Sequence, residues 1–148
     1  MGKKRSPSKK RSATSSRRRQ REPVVFFLDR SLECGVVVQA LREAGAELRV
    51  HSDHFADDER DDVWLPEVAR RGWAILTKDK AIRRRPIEKQ ALIRSGARAF
   101  VLSSGNMRGQ EMADVLVRHL RRMERIVHGT DPPFVAVVHR TSIQVLKI

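Results

Sequence analysis

The chain has 148 residues, a length suited to one domain, and its 31 Lys and Arg against 18 Asp and Glu give +13 at neutral pH. No apolar run approaches the ~18–20 residues of a membrane span, and the basic start lacks the apolar stretch of a secretory signal. The single cysteine, Cys34, excludes an internal disulfide, so a reducing cytoplasm is the expected home.

The charge is unevenly placed. Residues 1–23 hold ten Lys or Arg and one acid, Glu22, for +9; the other 125 residues hold 21 basic and 17 acidic groups, for +4. A segment this rich in Lys, Arg and Ser has almost nothing to bury, so 1–23 reads as a disordered basic arm and 24–148 as the folded domain. Dense cationic charge gathers a polyanion by releasing its counterions, which points to nucleic acid. An anionic membrane surface is the weaker alternative, because nothing apolar accompanies the charge. A solubilising tail is the bland reading of the same residues.

The domain then alternates in type. Val24 to Leu28 is an apolar run of strand length, flanked by Pro23 and Asp29. Ser31 is placed to cap a helix carrying Leu32, Val36, Leu41 and Ala44, which Gly45 ends. Glu47 to His51 reads as a second strand and Ser52 to Arg60 as an acidic, polar loop. Asp61 or Asp62 is expected to cap a helix with Val63, Trp64, Val68 and Ala69 on its apolar side, Pro66 in its first turn and Gly72 at its stop. Trp73 to Thr77 is strand three. Arg83 to Ser95 predicts a basic helix starting near Pro86, and Ala99 to Leu102 a fourth strand. Met112, Val115, Leu116, Leu120, Met123 and Val127 mark the longest helix, whose apolar face serves either the core or a homodimer. Phe134 to Val138 and Ile143 to Leu146 predict a hairpin about Arg140 and Thr141. Apolar strands alternating with helices predict a three-layer α/β/α fold with a mainly parallel sheet and a C-terminal hairpin.

In such sheets ligands bind beyond the carboxyl ends of the strands. Asp29 follows strand one and Asp79 follows strand three, so parallel strands put both on one edge. Asp62 opens the helix that leads back into strand three, which brings its amino end to that same edge. Three clustered carboxylates repel, and hard oxygen ligands without His or Cys suit Mg²⁺ or Mn²⁺. Such an ion activates water against a phosphodiester, and water attack would leave a 3′-hydroxyl and a 5′-phosphate. Taken singly, Asp29 and Asp62 are helix caps and Asp79 a turn residue; their shared edge favours the catalytic reading. Lys78, Lys80, Arg83, Arg84 and Arg85 flank Asp79 as candidate RNA-phosphate contacts, because cations at a helix start oppose its dipole. Ser103, Ser104 and Asn106 end strand four as further phosphate contacts or as a plain turn.

The stretches FFLDRSLECGVVVQALREAGAELRV and DVWLPEVARRGWAILTKDK resemble the PIN-like superfamily, in particular the compact domains of VapC-type toxins and the Mut7-C group. The resemblance covers roughly residues 24–104. It matches Asp29, Asp62 and the Thr77-Lys78-Asp79 run, and it implies a Mg²⁺- or Mn²⁺-dependent endoribonuclease. For a VapC-like toxin it also implies a cognate antitoxin bound to the domain. Asp61 competes with Asp62, whose offset to Ala69 fits the family better. Many members carry a fourth acid just after the third, where this chain has Lys80, Ala81 and Ile82; Glu33 or Glu88 are the available substitutes, and Thr77 and Ser103 are auxiliary candidates.

Other chemistries fall away. His51, His54 and Cys34, read as surface or loop residues, lack a fourth zinc ligand at a usual spacing. Gly105 to Gly109 lacks the end of a phosphate loop. Ser31 stands where a haloacid-dehalogenase-like phosphatase needs its second acid, and a receiver domain needs an acidic pair at strand one. Scarce aromatics argue against a base-stacking platform. The remaining rival is a non-catalytic nucleic-acid-binding or protein-interaction module on the same scaffold.

Overall fold

The computed structural model describes residues 22–103, 106–146 and 148; residues 1–21 of the basic arm and Ser104 lie outside them. Six strands form one sheet: β1 (Val25–Leu28), β2 (Glu47–Val50), β3 (Ala74–Thr77), β4 (Arg98–Leu102), β5 (Phe134–Val138) and β6 (Ile143–Leu146). Their order is β2-β1-β3-β4-β5-β6, parallel throughout except for β6, which returns antiparallel to β5 through the expected hairpin.

The helices are α1 (Gly35–Glu43), α2 (Asp61–Arg70), α3 (Ala81–Arg84), α4 (Pro86–Ser95) and α5 (Gly109–Gly129). They form two layers. Helices α1 and α5 cover Phe26, Leu28, Leu76, Phe100 and Phe134; α2, α3 and α4 cover Phe27, Ile75, Ala99, Val101 and Val135. Alternate residues of one strand thus serve opposite cores, the reason strands buried on both faces read as continuous apolar runs. Among the described residues no helix is long and apolar enough to cross a membrane.

Several expectations need correction. Ser31 does not cap α1: residues Arg30–Leu32 form a 3₁₀ turn and α1 starts at Gly35. That shift turns Val36 outward, 45% exposed, and places Val37 in the core. Helix α2 begins after Arg60, without a side-chain cap, so Pro66 falls in the second turn, where it cannot donate to the Asp62 carbonyl. The basic helix is broken. Arg85 is extended (φ −75°, ψ 135°), as the residue before Pro86 must be, and separates α3 from α4. Helix α5 buries Met112, Val115, Leu116, Leu120 and Met123 against its own sheet, so that face is not left over for a second copy.

Candidate active site

The parallel strands bring Asp29 and Asp79 to one edge of the sheet, as their positions after β1 and β3 require. Asp29 is nearly buried, 9% exposed, and its main-chain N–H extends the ladder to the Leu76 carbonyl at 2.9 Å. Its Oδ2 accepts from the hydroxyls of Thr77 (2.7 Å) and Ser31 (2.8 Å). Each hydroxyl has one hydrogen, so the Ser31–Thr77 contact of 3.1 Å holds no further bond when both donate to Asp29. The hydroxyls are aimed by main-chain donors behind them: Lys78 N–H to Ser31 Oγ (3.1 Å) and Asp79 N–H to Thr77 Oγ1 (3.0 Å). Asp79 is exposed and its Oδ1 accepts from Ala81 N–H at 2.9 Å. One chain of bonds therefore ties the backbone at Asp79 to the carboxylate of Asp29.

The two candidates for the middle acid are held differently. Both oxygens of Asp62 are engaged by Arg60, at 2.7 and 3.0 Å, and the residue borders a groove of about 600 Å³ with Pro66, Pro86 and Ile87. Its neighbour Asp61 is held from inside the helix layer. The Trp64 indole N–H donates to Asp61 Oδ1 at 2.9 Å. Burial pushes the Asp61 carboxyl above its ordinary range; that bond opposes the shift, and the negative charges of Asp29, Asp79 and Glu88 add to it. The signal was present in the spacing: Asp61, Trp64, Leu65 and Val68 stand at i, i+3, i+4 and i+7 on the buried stripe of α2, and Asp62 does not. Glu88, in the first turn of α4, is the fourth acid whose charge reaches this place.

A pattern runs through the three aspartates. Asp29 is held through Oδ2, Asp61 through Oδ1 and Asp79 through Oδ1; among the described residues no protein donor takes the second oxygen of any of them. No three His, Cys, Asp or Glu side chains among the described residues meet closely enough to ligate a single ion. The donor chemistry nonetheless fits a hard divalent cation, since it offers oxygen only, with one oxygen on each acid that no protein donor among the described residues takes.

The remaining candidates divide. Thr77 is fully buried and belongs to the Asp29 network. The Glu33 carboxylate is held by the Ser52 N–H (3.2 Å) and hydroxyl. Ser103 bonds to His139, a residue for which the sequence reading assigned no role. Lys78, Lys80, Arg83, Arg84 and Arg85 do cluster about α3, but the dipole argument for them fails. Because the helix breaks at Arg85, Arg83 and Arg84 sit in the last turn of α3, where cations are favourable. His54 is exposed, as a loop residue should be; His51 is not, being 1% exposed against Phe27, Phe55 and Trp64 with Nδ1 unpartnered. Burial holds the His51 pKa below the usual value.

With that geometry in view, comparison with known proteins decides the lineage. The PIN like domain family matches residues 24–104, more than half of the chain. The chain belongs to the PIN-like domain family. A Mycobacterium tuberculosis (strain ATCC 25618 / H37Rv) protein named "Putative ribonuclease VapC45" is 30% identical over 122 residues, covering 80% of this chain and 88% of that protein. No solved structure matches the chain. The matched segment of this PIN-like domain ends just after β4, so it contains Asp29, Asp61, Asp79 and Glu88 but neither α5 nor the hairpin.

Proposed function

We propose that this PIN-like protein is an endoribonuclease that hydrolyses RNA phosphodiester bonds with Mg²⁺ or Mn²⁺ held by Asp29, Asp61 and Asp79. The observation that carries the reading is the shared edge: three aspartates, each with one oxygen fixed by the protein and one free. The ribonuclease name of the 30% identical mycobacterial protein supports it. Asp61 takes the middle role because its carboxyl is destabilised first by burial and further by the charges of Asp29, Asp79 and Glu88, whereas Asp62 is already paired with Arg60.

When bound, the ion supplies Lewis-acid activation of water and neutralises charge on the scissile phosphate. The chain's own residues do the positioning. Ser31 and Thr77 lock the Asp29 carboxylate in one orientation, and Trp64 does the same for Asp61. Glu88 adds negative potential at the edge, which raises cation affinity without direct ligation. Lys78, Lys80 and Arg83 to Arg85 lie beside Asp79, where they offset the repulsion between an acidic site and a polyanion. The basic arm of residues 1–23 adds affinity for RNA without selecting a sequence. The VapC-like relationship further implies a cognate antitoxin that covers the acidic edge, in a cytoplasmic setting.

The test is cleavage of a structured-RNA pool by the full chain with Mn²⁺ and with EDTA. Asp29→Asn, Asp61→Asn and Asp79→Asn are each expected to lower turnover by about a thousandfold, and Asp62→Asn by less than about fivefold. RNA binding without cleavage in either metal would replace the nuclease reading with the non-catalytic binding module. Loss in Asp62→Asn with retention in Asp61→Asn would reverse the assignment of the middle acid.

A further inference from the structure

We propose that Ser103 and His139 form a second RNA-backbone subsite on the acidic edge, taking a phosphate oxygen of the stretch next to the scissile phosphate; this rests on the ribonuclease reading above. The register places them. Thr77 pairs with Val101 and Val101 with Val137, while Leu102 pairs with Val138, so Ser103 and His139 are the next residues outward on β4 and β5. The Ser103 N–H still bonds to the Val138 carbonyl at 3.0 Å, so the ladder persists to the edge. Ser103 follows Ala99 and Val101, and His139 follows Val135, at even intervals; those residues face the α2–α4 layer, as do Phe27 and Ile75 ahead of Asp29 and Thr77. The pair and the acids therefore share one side of one edge. At a strand spacing of ~4.8 Å, Ser103 stands one strand and His139 two strands beyond Asp79.

The side chains are joined, Ser103 Oγ to His139 Nδ1 at 3.1 Å. When the hydroxyl donates to Nδ1, the ring carries its hydrogen on Nε2, for which no protein partner exists among the described residues. That N–H is a donor of the kind that meets phosphate oxygens. Its mounting is unusually firm. His119, only 4% exposed, places Nε2 at 3.0 Å from the His139 carbonyl and 3.2 Å from that of Arg140. Carbonyl oxygens only accept, so His119 Nε2 is the donor. Arg118 donates to the Arg140 carbonyl at 2.7 Å, and the His139 N–H closes the hairpin on the Ser142 carbonyl at 2.8 Å. Hairpin closure explains the bonds to the main chain. It does not explain why the His139 ring is also steered by Ser103 while its other nitrogen has no protein partner among the described residues.

The discriminating variants are His139→Asn, which keeps an amide at the Nδ1 position and deletes the outer nitrogen, and His139→Gln, which keeps a donor at the outer position. With the full chain at ~0.3 M salt, where the arm contributes least, His139→Asn is expected to raise KM about tenfold with kcat unchanged. His139→Gln is expected to stay within about threefold of wild type, and Ser103→Ala to fall between. The same order is expected for equilibrium binding of RNA in EDTA, which reads the subsite even if the protein proves not to cleave. Equal losses in the Asn and Gln variants accompanied by a lower melting temperature would make His139 a hairpin residue and overturn the proposal. Wild-type binding and kinetics in His139→Asn would do the same while leaving the nuclease reading intact.

Discussion

The two faces of the sheet are built for different work. The face under α1 and α5 is closed by a 21-residue helix and carries three phenylalanines in series, with Phe100 packed edge-on against Phe134 at 5.6 Å and tilted against Phe26 at 6.4 Å. The face under α2, α3 and α4 is covered by shorter helices, with Pro66 inside α2 and Pro86 starting α4 after a break from α3, over Phe27, Ile75, Ala99, Val101 and Val135. Asp61, Asp79 and Glu88 belong to this second layer, and Asp29 leans toward it. A single sheet therefore has one side on which continuity of packing is preserved and one side on which helix starts, where carboxylates are favoured, are repeated at the edge.

The comparison predicts unequal costs. Phe100→Ala, on the closed face and 1% exposed, is expected to cost ~3–5 kcal/mol in denaturant unfolding while leaving RNA cleavage per folded molecule unchanged. Phe27→Ala, an equally buried phenylalanine on the other face, is expected to sit at the low end of that range, ~3 kcal/mol, because the shorter helices over it settle more readily into the space. Similar losses at both positions would mean the two layers do not differ in how tightly they close.

A second expectation concerns acid. His51 is buried and neutral in the aromatic cluster of the second face, and its pKa is held down by desolvation. The Asp29, Glu33 and Asp57 charges pull it up and that of Arg30 pulls it down. Below about pH 6.5 the unfolded chain binds a proton that folded His51 refuses. Its contribution to stability is therefore complete above that pH and is lost as pH falls toward the depressed folded value. Unfolding curves from pH 8 to 5 should show stability falling with acid more steeply in wild type than in His51→Phe. Parallel slopes would show that the ring is protonated in the folded state.

The same division governs what could be read from the sequence. On the closed face, apolar runs and helical spacing predicted strand positions to within a residue or two, because burial on both sides leaves a run such as Val24–Leu28 no other use. On the second face the local rules compete. The basic helix was expected over Arg83 to Ser95 with its start near Pro86; α4 does start there, but Arg83 and Arg84 belong to the separate α3, which removed the dipole argument for them. The choice between Asp61 and Asp62 turned on a helix start one residue earlier than a capping aspartate implies, and neighbouring helical residues point ~100° apart. Ser103 and His139 lie far apart in the chain and meet only through strand register, which no local pattern encodes.

The smallest expected effect is the sharpest test of that second face. Asp61→Asn keeps an oxygen to accept from the Trp64 indole and removes a charge opposed by burial and by three carboxylates. It is expected to stabilise the metal-free protein, by no more than about 1 kcal/mol because the group is only half-buried. Asp62→Asn should do the reverse, losing a solvent-exposed pair with Arg60 worth less than about 1 kcal/mol. In Mn²⁺ the order should invert: wild type gains stability by ligand linkage and Asp61→Asn gains little. Opposite signs in the two adjacent variants, read by thermal melts with and without Mn²⁺, tie the strain at Asp61 to cation binding. A metal response in Asp61→Asn equal to that of wild type would place the ion elsewhere, and the separation between a packing face and a chemical face would lose its electrostatic basis.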